Sequence, residues 1–419
     1  MSFRSSLKNR GFLSLWLAQV VSRIGDSIHE IALIWVVYEV TENPVLMSAV
    51  VVASLGPSVL FSLPAGSLVD RLNRKYILIG TDLIRGAAVL LIPLIGSRQL
   101  LVPVVLFVAA ISGLMESFAG PARSSLIPRL VPNTELDSAN ALQQMTTSAS
   151  QTLYVIGGII VGVTGSFSAF YLDSASFFLS AIILLPISRQ AGTPDRSSNN
   201  STGLLAEARD AIDFIRQHRI LPSVIILSAL TGFALGPLAI VLPLFTENIL
   251  GHGSTAFGIL YGSLYAGVLI GGTIVGGVNT RLSSYRGIIM TGGTLLTGLS
   301  LILVAIIPSQ VSFSLVAAII LFAFCGVAIS LIQVPLQTLV QSAVPDERRG
   351  RVFSVMTAAG LAAPPVSVAL TGPLLAQFGV INLLLIEGIF VSLSGIIIAL
   401  TPLAHVGEND SARSDLLNN

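Results

Sequence analysis

The chain has 419 residues, of which 53% are hydrophobic and only 10% charged, with 22 Lys and Arg against 21 Asp and Glu for a formal net charge of +1. A water-soluble domain carries about a quarter charged residues, so this composition places the chain in lipid and excludes a basic soluble nucleic-acid-binding domain. A single cysteine, Cys325, excludes an intrachain disulfide and a cysteine-held metal cluster.

The apolar stretches predict membrane spans near 12–38, 45–69, 76–97, 100–121, 138–163, 166–187, 221–249, 255–279, 287–308, 312–334, 352–377 and 380–403. Each approaches the roughly 20 apolar residues that a membrane helix needs. Continuous Leu, Ile, Val and Ala runs exclude a β-barrel, whose strands are about 10 residues long with alternating polarity. The expected fold is an all-α membrane protein of twelve transmembrane helices, arranged as two pseudo-symmetric six-helix bundles.

The first span carries Arg23, Asp26 and Glu30 at helical spacing, with His29 three residues beyond Asp26. It lacks a small-residue cleavage site and reads as a retained span. An ionisable group inside a span costs a few kcal/mol on insertion scales, so this stripe faces the protein interior. Two readings stand: Arg23 and Asp26 neutralise each other as an assembly device, or Asp26 or Glu30 gains and loses a proton as the protein works. Asp26 is the first choice for proton coupling.

The second span closes on Gly66, Asp70 and Arg71, followed by Arg74 and Lys75. The segment Gly66 to Leu72 is echoed by Gly276 to Leu282, which sets Arg71 and Arg281 210 residues apart. In the third span Asp82 and Arg85 lie three residues apart near the cytoplasmic end. They are expected to pair with each other or with Arg74 and Lys75. Glu116, in the inner part of the fourth span, is a proton-coupling candidate or a satisfied interhelical hydrogen-bonding group. Pro121, Leu126 and Pro132 reappear as Pro335, Leu339 and Pro345, the last pair 213 residues apart.

The fifth span has a polar face of Asn140, Gln144, Ser148 and Gln151 followed by Tyr154. It lines a substrate cavity or glues helices together, Gly157, Gly158, Gly162 and Gly165 favouring close packing. Asp173 is isolated in the outer part of the sixth span. Residues 1–187 thus form the first half and 188–220 a cytoplasmic linker. The linker is expected to be disordered from Thr193 to Ser201 and then to form an amphipathic helix through Leu204, Leu205, Ala208, Ile212 and Ile215.

Residues 221–405 form the second half and 406–419 a polar cytoplasmic tail. Gln333 and Gln337 flank Pro335 in the tenth span and are further substrate-cavity candidates. Pro364-Pro365 and Gly372-Pro373 mark a kinked eleventh span. Glu387, in the twelfth, is the remaining proton-coupling candidate or, like Glu116, a satisfied interhelical hydrogen-bonding group. Trp35, Phe61, Phe233, Phe245 and Phe324 are available to an amphipathic chamber or to lipid. With the N-terminus inside, 19 of the 22 basic residues fall in cytoplasmic segments. The expected topology is therefore multi-pass in the cell membrane with both termini cytoplasmic. Two repeats of six spans argue for a secondary transporter with a site between its halves.

The run Gly66-x-x-x-Asp70-Arg71-x-x-Arg74-Lys75 after the second of twelve spans resembles the inter-span loop signature of the major facilitator superfamily. Gly66 there would let two helices approach, and Asp70 would sit against the N-terminus of the eleventh helix, near Arg351, to hold the cytoplasmic side closed. Asn73 stands where that pattern has glycine and is expected to take the left-handed turn. Thr280 replaces the Asp in the second copy. Gly25-Asp26 with Ile31 to Tyr38, Asp82 to Arg85, Pro121 to Pro128, Leu172 to Phe177 and Gly350 to Val352 resemble the branch containing macrolide efflux proteins and the enterobactin exporter. The resemblance covers nearly the whole chain. It implies export of an amphipathic, macrolide-like or drug-like small molecule by alternating access, driven by inward proton flow. The Gly-Pro signature that drug antiporters carry in the fifth helix is absent. A siderophore or lysophospholipid carrier of the same fold is the first alternative, and a non-transporting membrane receptor or assembly factor the second. No phosphate loop, metal-ligand set or activated nucleophile points to an enzyme, a metal or a cofactor. The expected partners are the substrate, protons and the bilayer, with the protein acting as a monomer.

Overall fold

The computed structural model describes residues 3–193, 212–218, 220–278, 285–307, 314–344, 346–401 and 403. Fifteen helices follow in chain order. They are α1 (Phe3–Lys8), α2 (Arg10–Thr41), α3 (Pro44–Arg71), α4 (Arg74–Leu94), α5 (Arg98–Leu130), α6 (Leu136–Thr152), α7 (Tyr154–Thr164) and α8 (Ser166–Leu184). After them come α9 (212–217), α10 (Leu221–Leu235), α11 (Leu238–Asn248), α12 (Gly253–Val278), α13 (Arg286–Ala305), α14 (Ser314–Ala343) and α15 (Asp346–Ala399). No strand occurs among the described residues.

Among the described residues, ten stretches are long and apolar enough to cross a membrane, α6 with α7 and α10 with α11 each forming one of them. Helix α2 adds another, its hydropathy interrupted by Arg23, Asp26 and Glu30. Helix α15 supplies two, because its 54 residues change direction at Gly379, whose φ of 76° and ψ of 171° lie outside the helical region. At about 1.5 Å per residue an unbroken α15 would overrun the roughly 30 Å hydrocarbon layer more than twofold. Only glycine adopts that backbone without strain. The total is the expected twelve.

Asn9, Asn43 and Asn73 cap α2, α3 and α4, each side-chain oxygen accepting from backbone N–H groups two or three residues on. Asn73 therefore corrects the expectation of a left-handed turn: its φ is −75° and ψ 113°. Its Oδ1 accepts from Lys75 N at 3.1 Å, and its Nδ2 donates to the Arg189 carbonyl at 3.0 Å. The amide of Asn does here what a glycine cannot.

The chain forms two compact units, residues 1–199 with 252–262 and residues 200–251 with 263–419. In the first, α2 packs on α8, α3 on α5, and α4 on both α5 and α8. In the second, α15 packs on α10 and α13, and α13 also on α14. Lipid tails are as apolar as leucine, so hydrophobic burial does not drive helices together in a bilayer; close packing and polar contacts do. The repeat is visible in that packing. A Cβ added to Gly113 of α5 would fall 1.9 Å from the Ser54 carbonyl of α3. One added to Gly326 of α14 would fall 1.9 Å from the Leu264 carbonyl of α12. Gly113 and Gly326 stand 213 residues apart, the interval already read from the prolines. The linker expectation over 194–211 lies outside the described residues. The part that is described, α9, turns Ile215 inward and leaves Ile212 exposed.

Candidate functional site

Four charged side chains from three helices form a closed network in the first unit. The Arg85 guanidinium of α4 donates from Nη2 to Asp26 Oδ1 at 2.6 Å and from Nη1 to Glu116 Oε2 at 3.3 Å. Arg23 of α2 reaches the same two carboxylates, Glu116 Oε1 at 3.1 Å and Asp26 Oδ2 at 3.6 Å. Each arginine thus spans both acids. Arg123 of α5 approaches Glu116 to 4.0 Å. The ring of Phe177 on α8 lies 4.2 Å below the Arg85 guanidinium, a cation–π contact that stands in for lost hydration.

This arrangement corrects the expected partners of Asp82 and Arg85. The long Arg85 side chain reaches across to α2 and α5, while the shorter Asp82 accepts from Ser180 Oγ of α8 at 2.6 Å. Arg74 and Lys75 are engaged elsewhere. Arg74 donates to Ser125 Oγ at 3.0 Å and to the Thr193 carbonyl at 3.1 Å. Lys75 Nζ donates to the carbonyls of Leu185 and Ile187, both at 2.7 Å. A cation there satisfies the free carbonyls just past the end of α8 and complements its dipole.

Along α2 the same stripe continues. His29 Nδ1 lies 3.0 Å from Asp173 Oδ2, with the ring edge-on to Phe170. Asp173, isolated in sequence, is fully buried here. Gly25 makes room for it: an added Cβ would fall 2.0 Å from Ser176 Oγ and 2.6 Å from Asp173 Oδ1. Glu30, exposed, accepts a hydrogen bond from the Tyr154 hydroxyl.

The residues of the run from Gly66 to Lys75 lie at the end of α3 and the start of α4. Asp70 is 67% exposed in its side chain and sits 3.8 Å from Arg74 Nη2. Arg71 is exposed. No described atom lies within 4 Å of a Cβ built on Gly66, so the close helix approach expected there is not made. The α3–α5 approach occurs at Gly113 instead. The side chain of Arg351 lies outside the described residues, as do Thr280 and Arg281.

A cavity of about 310 Å³ opens beside the network, walled by Trp16, Arg23 and Ile24 of α2 and by Met145, Thr146 and Ser150 of α6. Trp16 Nε1 donates to Thr146 Oγ1 at 2.9 Å across it. Gln144 is exposed on the adjoining face of α6, with Ser148 and Gln151 part-exposed and Tyr154 buried. Sequence reasoning missed this wall. Its signal was the stripe Leu142, Met145, Ala149 and Leu153, apolar residues at helical spacing beside the polar face. In the second unit a cavity of about 300 Å³ is lined by Gln333 and Gln337 with Thr231, Met356 and Thr357. Glu387 of α15 is buried, and among the described residues neither of its oxygens has a hydrogen-bond partner.

Over residues 1–419 the chain matches the family described as transmembrane secretion effector. Macrolide efflux protein A of Streptococcus pyogenes is 25% identical over 386 residues, covering 91% of this chain and 93% of that protein. The multidrug efflux pump Tap of Mycobacterium tuberculosis is 25% identical over 381 residues, 88% of each. A solved bacterial homolog of the human lysosomal transporter Spinster, in an inward-facing and unoccupied conformation, shares the fold with a TM-score of 0.76. Its identity is 15%, covering 98% of this chain and 99% of that one. A sequence match along the whole length, on a helical framework shared with solved transporters, makes this chain a member of the transmembrane secretion effector family within the major facilitator superfamily.

Proposed function

We propose that the protein is a secondary transporter that exports amphipathic small molecules by alternating access, coupled to inward proton flow through the α2 network. The observation that carries this reading is Asp26, an intramembrane carboxylate shared between Arg85 at 2.6 Å and Arg23 at 3.6 Å. Arg23 and Arg85 balance Asp26 and Glu116 at the centre of this network, and Arg123 adds a further positive charge at 4.0 Å from Glu116. Protonating Asp26 leaves an excess positive charge, and a cationic substrate beside Arg23 adds the same sign. Like charges a few ångströms apart in a medium less polarisable than water repel strongly, so proton and substrate occupy the unit alternately. That exclusion is what antiport requires. The cavity of about 310 Å³ at Arg23 falls at the small end of ligand sites and is mostly apolar, as an amphipathic cargo needs. Export of macrolides or several drugs by the relatives named above supports the same cargo class.

A second reading keeps the fold and changes the cargo to an anionic amphiphile, a siderophore or lysophospholipid. Arg23, 27% exposed in its side chain and on the cavity wall, favours it as an anchor for an acidic group.

Inside-out vesicles, acid inside, separate these readings. Wild-type protein is expected to accumulate a fluorescent lipophilic cation such as ethidium only while the pH gradient stands. Asp26→Asn keeps the side-chain volume, removes the titration, and is expected to reduce gradient-driven uptake to that of empty vesicles. Uptake by the Asn variant at the wild-type rate would remove Asp26 from the coupling. Uptake of a fluorescent lysophospholipid and none of ethidium would favour the second cargo.

A further inference from the structure

The second unit is almost free of charge within its helices. From Leu221 to Thr401 the acidic, basic and histidine residues are Glu247, His252, Arg281, Arg286, Asp346, Glu347, Arg348, Arg349, Arg351 and Glu387. All but Glu387 stand at helix ends or between helices. Glu387 sits eight residues past the break at Gly379 and is 6% exposed. Of the helices packed on α15, α10 offers no titratable group, α11 only Glu247 in its last turn, and α13 only Arg286 at its first residue. Helix α14 offers only the Cys325 thiol, which is buried. Beside Glu387 the backbones of α13 and α15 touch: a Cβ on Gly388 would fall 2.8 Å from the Gly298 carbonyl.

Among the described residues an ionised carboxylate there has no counter-ion and neither oxygen has a hydrogen-bond partner, and burying it so costs several kcal/mol. The form this site holds is the neutral acid. A glutamine of nearly the same shape would fill the space without that cost. One turn along the same face of α15, Val391 and Ser394 border a cavity of about 20 Å³ with Thr231, Thr294 and Thr297. It has room for about one water. The four hydroxyls donate to carbonyls of their own helices.

We propose that Glu387 is a second proton-binding site, independent of the α2 network and loaded in this conformation. Each transport cycle then carries two protons. This rests on the proton-coupled reading above. In proteoliposomes with imposed potentials, wild-type protein is expected to move two protons per substrate and Glu387→Gln one. At 100 mV the limiting accumulation in the variant falls by about fiftyfold. An unchanged proton-to-substrate ratio in Glu387→Gln would overturn the proposal. Absence of gradient-driven transport in the wild type itself would instead be failure of the coupling reading.

Labelling tests the site without a variant or a transport assay. Dicyclohexylcarbodiimide attacks protonated carboxyls in apolar surroundings, and Glu387 is the one acid between Val352 and Val406. Labelling of that segment is expected in wild-type protein at neutral pH and should fade as the pH is raised. No labelling, or labelling indifferent to pH, would contradict a site that binds and releases a proton.

Discussion

Replacing Arg85 with methionine is expected to destabilise the protein by about 3–5 kcal/mol and to abolish transport. The guanidinium is 10% exposed in its side chain and holds Asp26 at 2.6 Å and Glu116 at 3.3 Å. Methionine fills a similar volume against Phe177 but leaves Asp26 only the Arg23 contact at 3.6 Å, and leaves Glu116 with Arg23 and, at 4.0 Å, Arg123. The cost is therefore that of unpaired buried charge, with little contribution from packing. Lysine at the same position keeps the charge but lacks the two-pronged fork that bridges two acids, so Arg85→Lys should recover only part of the loss. Adding Asp26→Asn to Arg85→Met removes one orphaned charge and should restore stability without restoring coupling. Thermal melting of the detergent-solubilised variants reads the first effect and vesicle transport the second. A double variant no more stable than Arg85→Met would refute the ion-pair account of this site.

Leucine at Gly113 or Gly326 is the second large effect, expected to cost about 3 kcal/mol or more at either position. At both, the first added carbon would fall 1.9 Å from a carbonyl oxygen of the facing helix. A backbone cannot rotate out of the way as a side chain can, so α3 and α5, or α12 and α14, must separate. Gly120 of α5 provides the control, since no described atom lies within 4 Å of its Cβ position. Alanine at Gly120 should be neutral, or stabilising by up to about 1 kcal/mol through helix propensity. Melting temperatures of the three variants decide the matter. Equal tolerance at Gly113 and Gly120 would show that the α3–α5 contact is looser than described here.

The twelve spans and the charged stripe on α2 were legible because each rests on local signals, hydropathy and helical spacing. The ionic partners were not. Asp26 meets Arg85 59 positions away, and Arg23 meets Glu116 93 positions away. No periodicity within one helix encodes which neighbouring helix supplies the counter-ion. Asp82 and Arg85 illustrate the limit: three apart on one helix, they differ in reach, and reach decided that each finds a partner on another helix. Asn73 was misread for another reason. Its tolerance of left-handed backbone competes with its strength as a helix cap, and the free N–H groups opening α4 settled the competition. On α6 the polar residues drew attention to one face, whereas the cavity is walled by the adjoining one.

The central claim is that substrate and proton compete through Asp26, and proton release on binding tests it most directly. Purified protein in weakly buffered detergent solution would be mixed with tetraphenylphosphonium while a pH indicator is followed. Wild-type protein is predicted to release protons as the cation binds, and Asp26→Asn to bind it without that release. Binding by wild-type protein with no proton release, or the same release from Asp26→Asn, would contradict the account.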